Sequence, residues 1–181
     1  MQRNKRMSLK KKLFLLLDLF SIILLVLLDQ YTKYLAVIHL KDKAAFNIIS
    51  GVLELNYLEN KGAAFGMLQN QKVFFIFVAM VILGVIAYVL WKTPDDRKYT
   101  ILHLLLSLIA AGAIGNVIDR IRYDYVVDFI YFVLINFPIF NVADIYISVS
   151  ALVLILLLLF YYKEKDLNFI SFKQNHYREI K

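Results

Sequence analysis

Residues 111–144 contain three short segments, AGAIGNVIDR (111–120), VVDF (126–129) and FNVAD (140–144). Among otherwise apolar residues, these segments hold three carboxylates, two amides and one guanidinium: Asp119, Asp128, Asp144, Asn116, Asn141 and Arg120. Burying such groups in hydrocarbon costs free energy unless they pair or take part in chemistry. The segments therefore indicate a polar site inside a mostly apolar protein.

The composition of the 181-residue chain is typical of a membrane protein, because 61% of the residues are hydrophobic and only 19% are charged. The formal net charge of +7 would suggest a nucleic-acid partner for a soluble chain. Here most basic residues flank apolar runs, as topology determinants do, so we expect no nucleic-acid partner. The chain has no cysteine, which excludes a disulfide, a thiolate nucleophile and a cysteine metal site.

Four apolar runs predict transmembrane helices at about 13–34, 73–91, 99–118 and 142–162. Six basic residues precede the first run, but no small-x-small cleavage site follows it, so we interpret it as an uncleaved helix. The N-terminus, the 92–98 loop and the tail hold 14 of the 21 Lys and Arg residues, which predicts that both termini are cytoplasmic. The organisation is then a single membrane domain at 1–162 and a basic cytoplasmic tail at 163–181.

Two connections lie on the outer side in this topology. Residues 44–66 carry β-branched and aromatic residues on both sides of a Ser50-Gly51 turn, which predicts a small hairpin or sheet resting on the membrane. Residues 128–140 are mostly apolar and aromatic, and we expect them to lie in the membrane interface. Gly62 falls where the chain turns into the second helix, and taken alone a loop cap explains it better than a binding role does.

The predicted topology brings the polar ends of the first, third and fourth helices to the outer face. Asp29 and Lys33 are four residues apart and can pair on one helix face. A helix-end ion pair with Lys33 extending to the interface explains them about as well as a functional role. Asp119 lies beside Arg120, so a structural ion pair explains both residues.

Asp128 and Asp144 are harder to explain structurally, because neither has an adjacent cation. Two carboxylates in apolar surroundings can share one proton, since desolvation and like-charge repulsion raise the pKa of one of them. Such a pair can activate water. The sequence therefore predicts an acid/base pair at the outer face.

Other chemistries have less support. The three histidines show no metal-ligand spacing, no nucleophilic serine motif occurs, and the carboxylates lack the tight clustering of divalent-cation sites, so we expect no metal. His103, inside the third helix, is expected to be a satisfied core histidine. Asp18, inside the first helix, is expected within reach of the basic cytoplasmic end.

Five ordered motifs resemble those of lipoprotein signal peptidase, or signal peptidase II, a family of bacterial membrane aspartic peptidases. They are DQYTK (29–33), NKGAAF (60–65), GNVIDR (115–120), VVDF (126–129) and FNVAD (140–144), and the resemblance covers nearly all of residues 13–162. It implies an all-α membrane protein, a four-transmembrane-helix bundle with a small extracytoplasmic β-cradle and an interfacial helix. It also implies that Asp128 and Asp144 are catalytic. Further polar positions are implied to support the pair or contact substrate: Asp29, Lys33, Asn60, Gly62, Asn116, Asp119, Arg120 and Asn141.

The resemblance further implies the reaction and its setting. The family hydrolyses the peptide bond just before the diacylglyceryl-cysteine of prolipoproteins, at the outer face of the bacterial cytoplasmic membrane. The implied partners are lipid-modified prolipoproteins and membrane lipids, with no metal or organic cofactor, and we expect a monomer.

The sequence leaves two functions open besides that of a peptidase. A proton-coupled transporter also places carboxylates in membrane helices, although four helices without a broken-helix repeat are few for one. A non-catalytic membrane scaffold is the second alternative. Another kind of intramembrane aspartic protease is disfavoured, because the Gly-x-Gly-Asp signature of those enzymes does not occur.

Overall fold

The computed structural model describes residues 7–63 and 67–170. Four long apolar helices lie within these residues: α1 Leu9–Leu40, α2 Lys72–Lys92, α3 Thr100–Tyr123 and α4 Val142–Phe160. They confirm the predicted four-helix membrane fold. Two helices extend further than predicted: α1 continues past Lys33, and α3 continues past Arg120. The polar residues expected at helix ends therefore lie inside the last turns of these helices.

The central helix is α3, which packs against the other three. Its apolar span is 61% buried inside the protein, whereas the spans of α1, α2 and α4 are each 11% buried. A Cβ atom at Gly112 would lie 2.5 Å from the carbonyl oxygen of Ala143 and 2.7 Å from the Ile147 side chain. Gly112 therefore lets α3 and α4 approach closely, since the side chain of any other residue would collide with α4.

Three antiparallel strands form the β-cradle in the order β1-β2-β3: β1 Phe46–Ile49, β2 Leu53–Asn60 and β3 Val126–Phe132. The turn between β1 and β2 uses Gly51 at φ +72°, a conformation that glycine adopts without steric cost. The predicted hairpin is therefore confirmed. Residues 64–66 of its predicted range lie outside the described residues.

The segment expected to lie in the membrane interface, residues 128–140, begins inside the third strand. Within 128–140, the helical residues are a single 3-10 turn, Val133–Ile135, and the preceding residues belong to β3. Val127 and Phe129 are buried in a cluster with Ala36 and Leu40 of α1. The first part of the run is apolar because β3 packs on α1, whereas residues 134–137 are exposed.

Residues 163–170 fold back on the bundle in two short 3-10 turns, Glu164–Asp166 and Asn168–Ile170. The Phe169 ring lies 5.4 Å from the Tyr99 ring, centroid to centroid, and Leu167 packs on the same core cluster. The packed part of the chain therefore extends beyond the predicted boundary at 162. Residues 171–181 of the predicted cytoplasmic tail lie outside the described residues.

Candidate active site

Asp128 and Asp144, here called the aspartate pair, line one cavity of about 660 Å³. Asp128 is the third residue of β3, and Asp144 lies in the first turn of α4. The cavity is bounded by the cradle, by the 137–140 segment and by the first turns of α4. The strand and the helix thus bring together two carboxylates from separate motifs of the sequence.

Two amide groups donate hydrogen bonds to Asp128. Asn60 Nδ2 lies 2.8 Å from Asp128 Oδ2, and Asn141 Nδ2 lies 2.6 Å from Oδ1. The oxygen of each amide accepts a backbone N–H, from Gly62 at 2.9 Å and from Asp144 at 3.0 Å respectively. Because a backbone N–H can only donate, both asparagines must turn their NH₂ groups toward Asp128.

Asp144 is held by a matching arrangement. Asn116 Nδ2 donates to Asp144 Oδ1 at 2.8 Å, and the backbone N–H of Asn141 donates to Oδ2 at 3.1 Å. The oxygen of the Asn116 amide accepts from the Lys33 ammonium at 2.9 Å, which fixes the orientation of that amide as well. Asn141 and Asp144 also form the capping box of α4, so a helix terminus sets the position of the carboxylate.

Lys33 joins two further carboxylates behind the pair. Its ammonium lies 3.0 Å from Asp29 Oδ2 and 3.0 Å from Asp119 Oδ2, and all three side chains are at most 3% exposed. Asp29 accepts the backbone N–H of Ala143, and Asp119 accepts that of Val127. These two residues directly precede Asp144 and Asp128, so one ion cluster fixes the backbone beside both members of the aspartate pair. The interpretation in which Lys33 extends to the interface is wrong.

Arg120 does not form the ion pair with Asp119 that the sequence suggests. Among the described residues its guanidinium forms no salt bridge with Asp119, whose partner is Lys33. It donates instead to the carbonyl oxygens of Gly62 at 3.2 Å and Asn116 at 3.4 Å, and it lies 4.6 Å from the centre of the Phe75 ring. Arg120 therefore ties the loop after β2 to α3 at the edge of the cavity.

All ten sequence-predicted site residues thus belong to one connected set of contacts. The structure adds Gln30, which sequence reasoning missed and whose amide donates to Asp119 Oδ1 at 2.9 Å. It also adds a second buried cluster toward the opposite end of the bundle, where Asp18 Oδ2 lies 2.7 Å from His103 Nδ1 and Ser107 donates to Oδ1 at 3.4 Å. In the sequence, the only sign of this cluster is the four-residue spacing of His103 and Ser107. The spacing alone does not show that Asp18 of another helix is their acidic partner.

Gly115 gives the ion cluster its space. A Cβ atom there would overlap the Asp29 carboxylate and lie 3.6 Å from the Ala143 side chain. We expect Gly115→Ala to lower the free energy of unfolding by about 1–3 kcal/mol, because Asp29 would have to move off its partners. Thermal unfolding of the purified protein in detergent measures this change.

Gly84→Ala is the matched control, because a Cβ atom at Gly84 in α2 meets nothing within 4 Å. We expect its effect to stay within about 1 kcal/mol, the range of helix propensity. Equal unfolding temperatures for the two variants would contradict the packing role of Gly115.

The environment of Asp128 changes its acidity. Burial, helped by the nearby Asp144 carboxylate, raises the pKa of Asp128 from 3.8 to about 7, and the amides of Asn60 and Asn141 oppose the rise. Near neutral pH, a proton can therefore reside on Asp128. The pair then offers one proton donor and one proton acceptor to a bond placed between them.

Comparison with known proteins gives the family of the chain. The family model described as signal peptidase (SPase) II matches residues 21–160. A lipoprotein signal peptidase of Caldanaerobacter subterraneus subsp. tengcongensis is 48% identical over 130 residues, which are 71% of this chain and 86% of that protein. A lipoprotein signal peptidase of Streptococcus pyogenes serotype M5 is 42% identical over 157 residues, 87% of this chain and 97% of that protein.

Two solved structures share the fold. Both are bacterial membrane enzymes obtained by the in meso method, at 2.3 Å and 1.9 Å resolution. The first has a TM-score of 0.72 and 32% identity and covers 91% of this chain and 94% of its own. The second has a TM-score of 0.69 and 33% identity, and it covers 80% of this chain and 94% of its own. With the family model matched across all four helices, the chain belongs to the signal peptidase II family.

Proposed function

We propose that this membrane enzyme removes the signal peptide of lipid-modified prolipoproteins by hydrolysing the peptide bond just before the diacylglyceryl-cysteine. The observation that carries the proposal is the aspartate pair, in which Asp128 and Asp144 share one cavity and Asp128 has a pKa of about 7. Membership of the signal peptidase II family supplies the reaction class. No feature of the described residues favours a transporter.

In the proposed reaction, water is the nucleophile and no metal or organic cofactor takes part. The ionised carboxylate takes a proton from water while the protonated one donates a hydrogen bond to the carbonyl oxygen of the scissile bond. The water oxygen adds to the carbonyl carbon and forms a tetrahedral intermediate. The intermediate collapses when the C–N bond breaks and the carboxyl group that took the proton from water gives it to the leaving amine of the cysteine. The carbonyl re-forms, and one carboxylate is again protonated and the other ionised.

The surrounding polar residues are proposed to keep the pair in position. Asn60, Asn116 and Asn141 present amide donors whose orientation is fixed by other partners. These donors limit how far either carboxylate can rotate when its charge changes during the reaction. Asp29, Lys33 and Asp119 are proposed to act through the backbone, and Gly62 and Arg120 through the loop that borders the cavity.

The proposed setting is the bacterial cytoplasmic membrane, with both termini in the cytoplasm and the aspartate pair near the outer face. The excess of basic residues at the two termini and in the 92–98 loop supports this orientation. The signal helix of the substrate would lie beside α4, while the diacylglyceryl chains stay in the bilayer. A monomer suffices, because the ten predicted site residues come from one chain.

Cleavage of a lipidated prolipoprotein by the purified protein in detergent or lipid vesicles tests the proposal. We expect release of the signal peptide and a new N-terminal diacylglyceryl-cysteine, which mass spectrometry identifies. The same precursor without its lipid is the control and should be cleaved far more slowly. Failure to cleave the lipidated precursor, by a protein that unfolds cooperatively, would reject the proposed function.

The acidity of Asp128 predicts how cleavage depends on pH. We expect kcat/KM to follow a bell-shaped curve whose alkaline limb falls near pH 7, because Asp128 loses its proton there. In Asn60→Ala this limb should move to higher pH, since the amide of Asn60 stabilises the ionised form of Asp128. Asn47→Ala, on the exposed strand β1, should leave the profile unchanged. An alkaline limb that stays in place in Asn60→Ala would contradict this account.

A further inference from the structure

A second cavity of about 480 Å³ adjoins the one that holds the aspartate pair. We call it the outer groove. The two cavities share a wall made of Asn60, Ala63 and the segment 137–139. The remaining described residues that line the outer groove are Leu58, Glu59, Lys61, Gln69, Tyr131 and Asn136. Asn60 thus touches Asp128 on one side and the outer groove on the other.

The two cavities lead in different directions from the aspartate pair. The first extends along α4 past Ile145, Ser148 and Val149, about one turn deeper in the membrane than Asp144. The described residues that line the outer groove all come from the cradle and from its adjoining loops, and none of them belongs to α1, α2, α3 or α4. A peptide that crosses the aspartate pair therefore leaves the membrane by way of the outer groove.

The polar lining of the outer groove has one uncompensated charge. Glu59 is neutralised by Lys41, whose ammonium lies 2.9 Å from its carboxylate, and it also accepts from the Tyr57 hydroxyl. Lys61 is exposed, and within residues 7–63 and 67–170 no carboxylate lies within salt-bridge distance of it. Lys61 therefore contributes an unpaired positive charge to the described lining of the outer groove.

We propose that the outer groove binds the first residues of the mature lipoprotein, those directly after the lipidated cysteine, and that Lys61 makes it favour acidic over basic residues there. This inference rests on the proposed function. It concerns the part of the substrate that remains after cleavage, and Lys61 is a specificity-determining residue in it. An exposed charge pair changes affinity only modestly, so the expected preference is about 2- to 5-fold.

The test compares two lipidated prolipoproteins that differ only in the three residues after the cysteine, which are Asp in one and Lys in the other. We expect the wild type to cleave the Asp substrate with about 2- to 5-fold higher kcat/KM, and we expect high salt to reduce the ratio. Lys61→Glu should reverse the order of the two substrates, and Lys61→Gln should bring the ratio close to one.

Lys43→Glu is the matched control, because it makes the same charge change in the 41–45 loop outside the outer groove. It should keep the wild-type ratio. A wild-type ratio of one, an unchanged ratio in Lys61→Gln, or an equal shift in Lys43→Glu would overturn the inference. If Lys61→Glu fails to fold, Lys61→Gln carries the test. If both substrates are cleaved at equal rates, the inference about the outer groove is rejected and the proposed function stands. If neither substrate is cleaved, the proposed function itself is rejected.

Discussion

Asp128→Asn and Asp144→Asn are each expected to lower the rate of prolipoprotein cleavage by about 10²- to 10⁴-fold, the usual contribution of a general acid or base. Either substitution removes a group that must both give and take a proton, and asparagine can do neither at neutral pH. The single-turnover rate of signal-peptide release, measured with saturating enzyme, isolates this effect from substrate binding.

Asp124→Asn is the matched control for both variants. Asp124 follows α3 on the same side of the protein, is 77% exposed and pairs with Lys72. Its φ of +68° is one that asparagine tolerates, so the same chemical change there should leave the rate within about 2-fold of wild type. Processing at the normal rate by either pair variant would remove the basis of the acid/base mechanism.

Lys33→Ala is expected to produce the largest loss of stability, about 3–5 kcal/mol. The ammonium lies between two carboxylates that are almost completely buried, so its removal leaves the charges of Asp29 and Asp119 without compensation. Asn116 would also lose the donor that fixes the orientation of its amide. Thermal or denaturant unfolding in detergent measures the change.

Lys72→Ala provides the comparison, because its salt bridge with Asp124 is largely exposed and is expected to contribute about 0–1 kcal/mol. A Lys33 variant that unfolds at the same temperature as Lys72→Ala would show that the buried cluster does not stabilise the fold. If Lys33→Ala remains folded, we expect it to cleave more slowly than the wild type. The backbone next to both members of the aspartate pair would lose its fixed position.

Much of the architecture could be predicted because it depends on local patterns. Apolar runs of membrane-spanning length gave the four helices, and a Ser-Gly turn between β-branched residues gave the hairpin. Asp128 and Asp144 stand out in the sequence because neither has a neighbouring cation. The structure places them in one cavity.

What could not be predicted depends on partners that are distant in the sequence. Spacing along one helix predicts that Lys33 meets Asp29, but it contains no information about Asp119 on another helix. An apolar run such as residues 126–132 fits a buried strand and an interfacial segment equally well. The choice between them is made by β2 and α1, which precede the run by more than 60 residues.

The ion cluster has a consequence for how the protein is assembled in the membrane. Asp29 and Lys33 arrive with α1, which is synthesised first, whereas the backbone N–H that Asp29 accepts belongs to Ala143 at the start of α4. Until this last helix is inserted, the two carboxylates proposed to act on water are not held together. Asp128 and Asp144 can therefore come together only after α4, which carries Asp144, has been inserted.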